Sequence, residues 1–264
     1  MDILLEIIEK KRQRVEAAKD LVSLEQMFAK AMKTRIRATP HALLGRLINS
    51  EEINVIAEFK RRSPSKGLIS NGAEPATMAQ LYQAGGAIGI SVLTEEDYFG
   101  GSLEDLVTVK EAVDVPVVRK DFIFEEYQLY EAAAAGADAV LLIVAALEDA
   151  LLVALRELAE DELSMDALVE VHTKTEMQRA TASGATLIGV NNRDLRTFEV
   201  SLETSLKLSG EAPPDAVLVS ESGLQTAADL RSLKEVGYRG FLIGESLMRA
   251  DRPVEALRGL RGEE

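Results

Sequence analysis

The most informative stretch of the chain is IAEFKRRSPSKG (residues 56–67), where an apolar run that begins at Ile53 ends in opposite charges. Glu58 and Lys60 stand two residues apart, and side chains two apart on a strand share one face. The run predicts a buried strand, and the two charged side chains are expected to project together at its end. The loop that follows is rich in cations, which suits an anionic small molecule.

The chain continues this pattern, with short apolar runs alternating with longer amphipathic stretches. Continuous apolar runs are typical of strands covered on both faces, hence of a parallel sheet. Eight strand–helix units predict an α/β fold, a closed (β/α)8 TIM barrel. The alternative is a doubly wound open sheet, which more often has a glycine-rich dinucleotide turn after its first strand. The predicted strands are residues 54–59, 88–93, 115–118, 139–144, 167–171, 187–190, 216–219 and 241–243.

Residues 1–50 are predicted to form a helical N-terminal extension, and residues 51–264 the barrel, within a single domain of 1–264. The first helix has an apolar face interrupted by Lys11, and its Lys and Arg residues are interpreted as a solvent face. A second helix is expected to start at Ser23, where Ser-Leu-Glu-Gln has the form of a capping box.

Composition limits the classes of function. A net charge of −14 argues against nucleic-acid binding, and no apolar run is long enough for a membrane span. The absence of cysteine excludes disulfides and thiolate chemistry, and two dispersed histidines are too few for a histidine metal cluster. The N-terminus lacks the features of a signal peptide. We therefore expect a cytoplasmic protein with no metal site.

The active site of such a barrel lies at the carboxyl ends of its strands. A single polar residue at a strand end is often only exposed to solvent. Glu58 and Lys60 could form a structural ion pair. The acidic turn 95–97 is interpreted as solvated. His172 is interpreted as a supporting or surface residue rather than a catalyst. Convergence of several strand ends nevertheless predicts one pocket, and the small residues after the last two strands indicate a phosphate site. The candidates are Glu58, Lys60, Lys120, Glu170, Asn191, Arg193, Glu221, Ser222, Gly223, Gly244 and Glu245.

These strand ends resemble a known family, indole-3-glycerol phosphate synthase, a (β/α)8 enzyme of tryptophan biosynthesis. The resemblance is carried in order by AEFKRRSPS (57–65), SVLTE (91–95), YFGGS (98–102), RKDFI (119–123), LVEVH (168–172), IGVNNRDL (188–195), SESG (220–223) and LIGESLMR (242–249). It spans about residues 50 to 250 and includes the helical extension.

The resemblance implies a reaction: 1-(2-carboxyphenylamino)-1-deoxyribulose 5-phosphate becomes indole-3-glycerol phosphate, CO2 and water, without cofactor or metal. Lys120 matches the general acid of ring closure, Glu170 a carboxylate of the dehydration, and Lys60 a second lysine at the same oxygen. Which of these three gives the proton for hydroxyl departure stays open. Glu58, Asn191 and Glu221 match residues that hold the lysines and substrate hydroxyls.

The same resemblance implies the binding residues. Arg193 suits the substrate carboxylate, and the apolar walls around the anthranilate ring match Phe99, Phe122 and Leu195. The phosphate positions match Ser63, Ser222, Gly223, Gly244 and Glu245. Because a carboxylate repels phosphate, Glu245 is expected to contribute its backbone N–H, with its side chain turned away.

Two other functions stay open at this point. One is a different phosphate-binding barrel, such as an aldolase that forms a Schiff base on a lysine. The other is an inactive barrel kept as an assembly partner. The expected partner is a phosphorylated small molecule, with no nucleic acid and no membrane, and the expected state is a monomer or weak homodimer. Glycines in or after the loops 61–67 and 95–101 would permit loop closure over a substrate.

Overall fold

A computed structural model describes residues 3–70, 72–194 and 197–263, and eight strands in it close into a parallel barrel. Each strand pairs with its neighbours in the sequence, and the last pairs with the first through Val55 and Phe241. The prediction of a (β/α)8 barrel is therefore confirmed. The strands are β1 (Val55–Phe59), β2 (Gly89–Leu93), β3 (Val117–Lys120), β4 (Ala139–Ile143), β5 (Asp166–Val171), β6 (Leu187–Asn191), β7 (Val217–Glu221) and β8 (Tyr238–Ile243).

Helices alternate with these strands and precede the first of them. No helix within the described ranges combines the length and the apolar character that a membrane crossing needs. The α-helices are α1 (Ile3–Leu21), α2 (Leu24–Arg35), α3 (Ala42–Asn49), α4 (Pro75–Ala84), α5 (Leu103–Ala112), α6 (Glu126–Ala134), α7 (Asp149–Glu157), α8 (Lys174–Ala182), α9 (Glu203–Ser209), α10 (Ala227–Glu235), α11 (Glu245–Met248) and α12 (Pro253–Arg261).

All eight predicted strands are present, and three have ends displaced by two residues or more: β3, β8, and β7, which ends at Glu221 rather than Val219. Strand β3 extends through Arg119 and Lys120, and β8 begins at Tyr238 rather than Phe241. In both places charged residues interrupt the apolar run: Arg119 and Lys120 end β3, and the exposed Arg239 stands at an irregularity in the pairing of β8. Apolar content alone therefore marks the centres of these strands better than their ends.

The helix α3 closes the amino end of the barrel. Its Leu43 and Leu47 are fully buried and join the cluster of apolar side chains inside the barrel. The carboxylate of Asp166, the first residue of β5, accepts the backbone N–H groups of Leu43 at 2.9 Å and Leu44 at 3.1 Å. These N–H groups at the start of α3 have no partner within the helix, so Asp166 satisfies them and fixes the helix under the barrel.

The capping box predicted at Ser23 is present and begins α2. The Ser23 hydroxyl accepts the Gln26 backbone N–H at 3.3 Å, and the Gln26 side chain accepts the Ser23 N–H at 3.1 Å. The helix packs against α6, where the rings of Phe28 and Tyr130 meet edge to face at 5.3 Å between centroids.

The helix α1 lies at the opposite, carboxyl end of the barrel, and one of its cations is buried there. Lys11 Nζ lies 2.7 Å from Asp121 Oδ2 and 2.9 Å from Glu96 Oε2, and its side chain is only 4% exposed. Burial would raise the pKa of Asp121, but Lys11 and Arg119 outweigh it and lower that pKa. The interpretation of the α1 cations as a solvent face is therefore wrong for Lys11. Periodicity placed it on the buried face, and its carboxylate partners Asp121 and Glu96 explain a charge there.

The docking of α1 predicts a stability effect. Replacing Lys11 with Met removes one of the two cations that pair with Asp121 and leaves Arg119 as the other, so we expect the free energy of unfolding to fall by about 3 kcal/mol. The measurement is urea denaturation followed by circular dichroism. The matched control is Lys33→Met on the exposed side of α2, expected to stay within about 0.5 kcal/mol of wild type. Equal midpoints for the two variants would contradict the role given to Lys11.

Candidate active site

The carboxyl ends of the strands surround one cavity of ≈ 780 Å³. The structure brings to it every candidate named from the sequence except Leu195, which lies outside the described residues. The candidates that line it are Glu58, Lys60, Ser63, Phe99, Lys120, Phe122, Glu170, Asn191, Arg193, Glu221, Ser222, Gly223, Gly244 and Glu245.

A half-buried lysine, Lys120, lies on the floor of the cavity, with 14% of its side chain exposed. Lys120 Nζ lies 2.6 Å from Glu221 Oε2 and 3.4 Å from Glu170 Oε2, and both carboxylates are almost fully buried. Burial by itself lowers the pKa of Lys120, but the carboxylates, Glu221 first, outweigh it and move that pKa above the usual lysine range. Lys120 is therefore a cation that can donate a proton to an oxygen placed beside it.

The two carboxylates that flank Lys120 have opposite pKa shifts. Burial raises the pKa of Glu221, the charge of Glu170 adds to that rise, and Lys120 offsets it only in part. Burial also acts to raise the pKa of Glu170, but Lys120 and His172 reverse the effect and lower it. The Asn191 side chain lowers that pKa further. Glu170 is thus the ionised carboxylate, and Glu221 is the one that holds a proton more readily.

A second ion pair joins Glu58 and Lys60 on β1 and just beyond it. Glu58 is 3% exposed and Lys60 reaches further toward the cavity, with 17% of its side chain exposed. The backbone at Gly244, just after β8, passes close to this pair, since a Cβ added to Gly244 would lie 2.4 Å from Glu58 Oε1. Glycine at this position therefore leaves room for the buried carboxylate.

Aromatic rings form one wall of the cavity. The centroids of Phe99 and Phe122 are 6.1 Å apart. Glu95 holds the turn that carries Phe99, because its carboxylate accepts the backbone N–H groups of Asp97, Tyr98 and Phe99 at 2.7 to 3.0 Å. The interpretation of residues 95–97 as a solvated turn is therefore wrong for Glu95, whose side chain is fully buried. A carboxylate facing successive backbone donors is a local feature that apolar patterning does not reveal.

The turns after β7 and β8 form the opposite end of the cavity. Ser222 and Gly223 both have positive φ, 66° and 81°, which bends the chain sharply at the end of β7. Residues after β8 enter the short helix α11, where the Glu245 carboxylate lies 3.3 Å from Arg249 Nε. The Glu245 side chain is thus engaged one turn along the helix.

Several residues of the site were not identified as such from the sequence, among them an apolar group on α1 and His172. Ile3, Leu4 and Ile7 of α1 line the cavity, so the helix covers the strand ends with its apolar face. The apolar periodicity of α1 was visible, but nothing in one sequence shows which end of the barrel it covers. The other is His172, whose Nε2 lies 3.3 Å from Glu170 Oε1.

Comparison with known proteins agrees with this arrangement. The family model described as indole-3-glycerol phosphate synthase matches residues 4–260. An indole-3-glycerol phosphate synthase of Bacteroides thetaiotaomicron is 46% identical over 260 residues, which cover 97% of this chain and 96% of that protein. One of Desulfotalea psychrophila is 47% identical over 260 residues, with 98% of each chain covered.

Solved structures of other barrels share the fold alone. KGPDC from Streptococcus mutans superposes with a TM-score of 0.60 at 16% identity, over 80% of this chain and 97% of that one. Thiamine phosphate pyrophosphorylase from Pyrococcus furiosus gives 0.59 at 17% identity, over 80% and 94%. With the family model matching nearly the whole chain and relatives close to half identical to it, the chain belongs to the indole-3-glycerol phosphate synthase family, the decarboxylating lyases of tryptophan biosynthesis.

Proposed function

We propose that the cavity performs the family's ring closure with Lys120 as the general acid. The observation that carries this proposal is the position of its ammonium between Glu221 and Glu170, which keeps it protonated and faces it into the cavity. As the aromatic carbon of the substrate attacks the ketone carbon, Lys120 donates a proton to the ketone oxygen. The carboxylate of the ring then leaves as CO2, and its bonding electrons restore aromaticity.

Dehydration follows in the same cavity. The methylene carbon bonded to the ring nitrogen loses a proton, the hydroxyl formed from the ketone takes up a proton and leaves as water, and the double bond formed between these two carbons completes the indole. Glu170 is the ionised carboxylate that accepts a proton in this step. Lys60 and Lys120 are the two cations that face the leaving oxygen, and Lys60 forms an ion pair with Glu58. Asn191 and Glu221 orient Glu170 and Lys120.

Two anionic ends of the substrate fix its position. The carboxylate contacts Arg193, and the aromatic ring lies between Phe99 and Phe122. The phosphate lies at the other end, against Ser63, Ser222, Gly223, Gly244 and the backbone N–H of Glu245. Glu245 turns its carboxylate toward Arg249, which is supported by their 3.3 Å separation. Holding both ends folds the chain of the substrate and brings the reacting carbons together.

A Schiff-base mechanism on Lys120 is disfavoured by the same geometry. A nucleophilic amine must lose its proton near neutral pH, which requires a lowered pKa. The carboxylates around Lys120 raise its pKa instead. A Schiff-base nucleophile at this position needs a lowered pKa, whereas a general acid needs a lysine that stays protonated.

We also propose that residues 1–264 work as one domain and that the active unit is a monomer or a weak homodimer. The support is that α1 and the strands of the same chain jointly enclose the cavity. No residue of a second copy is needed to complete the described part of the site.

The acid role predicts the effect of Lys120→Met. We expect turnover to fall by about 100-fold or more, because general acid catalysis contributes at least that factor, while substrate affinity changes little. Indole fluorescence measures the product, and the chain contains no tryptophan to add background emission. Lys33→Met is the control for the loss of a surface charge. Unchanged turnover in Lys120→Met would refute the role.

The position of Glu221 predicts the effect of Gly189→Ala. A Cβ at Gly189 would lie 2.3 Å from Glu221 Oε1, so the carboxylate must move away from Lys120. We expect turnover to fall roughly tenfold or more with the fold retained, since small displacements at a reacting centre are costly. The matched control is Gly210→Ala, because a Cβ there meets nothing within 4 Å. Equal turnover in the two variants would show that the contact of Glu221 with Lys120 is not needed.

A further inference from the structure

His172 lies just after β5 and contacts the active-site carboxylate from behind. Its Nε2 is 3.3 Å from Glu170 Oε1, while the other oxygen of Glu170, Oε2, is 3.4 Å from Lys120 Nζ. The imidazole is 10% exposed. Glu170 thus stands between two nitrogen cations, one in the cavity and one behind it.

The ring of His172 is held in place by Glu176 in the first turn of α8. Glu176 Oε2 lies 3.1 Å from Nδ1 of the ring and accepts the His172 backbone N–H at 2.8 Å. Thr173 caps the same helix, since its hydroxyl accepts the Glu176 backbone N–H at 3.2 Å. A carboxylate in the first helical turn is also stabilised by the helix dipole. The helix start therefore fixes both Glu176 and the imidazole.

The charges around His172 favour its protonated form. Glu170 faces it from β5 and Glu176 from α8, and each approaches a different ring nitrogen. The nearby cations have other partners: Lys174 pairs with Glu211, and Arg179 with Asp149. Burial by itself would lower the pKa of His172, but the two carboxylates raise it to about 10.

We propose that His172 is a positioning residue for the reaction, a cationic ring clamped by Glu176 that keeps Glu170 ionised and directs it toward Lys120. This inference rests on the proposed role of Glu170. It explains why two carboxylates on the same lysine behave differently: Glu221 has Lys120, whereas Glu170 has Lys120, Asn191 and His172. His172 decides which of the two is the base.

A direct titration tests the clamp without reference to catalysis. The chain has two histidines, so the imidazole proton spectrum of the whole protein has two sets of signals, which His41→Asn assigns. We expect the His172 signal to titrate near pH 10. In Glu170→Gln its pKa should fall by about one unit or more, because an opposite charge is removed. Titration of His172 near its unperturbed value of about 6.5, or no change in Glu170→Gln, would overturn the proposal.

The pH dependence of turnover tests the effect on Glu170. Loss of the cation in His172→Gln raises the pKa of Glu170, so activity should fail on the acid side about one pH unit or more above wild type. The loss should appear in kcat rather than in KM. Glu176→Gln, which leaves the ring in place, should move the acid limb in the same direction by a smaller amount, and His41→Asn is the control. Superimposable acid limbs in all four proteins would overturn the proposal.

The pH dependence of the free energy of unfolding shows whether the His172 ring acts through its charge or only fills space. A histidine whose folded pKa is raised stabilises the fold fully below its unfolded pKa of about 6.5 and loses that contribution as the pH rises toward about 10. The free energy of unfolding should therefore fall more steeply over this interval in wild type than in His172→Gln. Parallel curves would mean that the ring only fills space. If Glu170→Gln itself turns over at the wild-type rate, the proposed role of Glu170 fails, whatever the titration of His172 shows.

Discussion

The site depends on the ion pairs between the Lys120 ammonium and two buried carboxylates. Removing a cation from water is costly, and only close carboxylates offset that cost. Glu221 and Glu170 supply them, but each is buried too and needs a cation in turn. Glu58 has Lys60, and Glu176 shares His172 with Glu170. Four carboxylates therefore face three cations, and the surplus negative charge falls on Glu221, whose raised pKa lets it take up a proton.

The closed barrel brings these groups together from distant parts of the sequence. Parallel pairing places Glu170 beside Gly189 and Asn191 beside Glu221 in neighbouring strands. Gly189 has no side chain, and this leaves the space that the Glu221 carboxylate occupies. A glycine in the middle of a strand usually weakens it. Here the same absence of a side chain lets a buried carboxylate reach Lys120. The strand therefore packs less tightly at Gly189, and the space is filled by the Glu221 carboxylate.

The parts of this structure that follow from local pattern were predictable, and those that follow from a distant partner were not. The eight strands and the polar groups at their ends are visible because burial on both faces gives continuous apolar runs and because strand ends converge. Lys11, Glu95 and His172 were misjudged or left unassigned for one shared reason. A charge is buried only where a partner meets it, and the partner Asp121 of Lys11 comes from a distant segment. Glu170 and Glu176 stand two and four residues from His172, but residue types alone do not show that both side chains turn toward its ring. Glu95 has local partners, but they are backbone N–H groups that residue types do not reveal.

The end of strand β3 links the cover of the site to its chemistry. Lys120 lines the cavity, its neighbours Arg119 and Asp121 form a buried ion pair with each other, and Asp121 also binds Lys11 of α1. The helix that covers the strand ends is thus fastened one residue away from the central ammonium. Its apolar residues Ile3 and Ile7 line the cavity and reduce the water in contact with the buried charges. A lower local dielectric strengthens every ion pair beneath it. Loosening α1 would therefore weaken the ion pairs of Lys120 without touching any residue that contacts it.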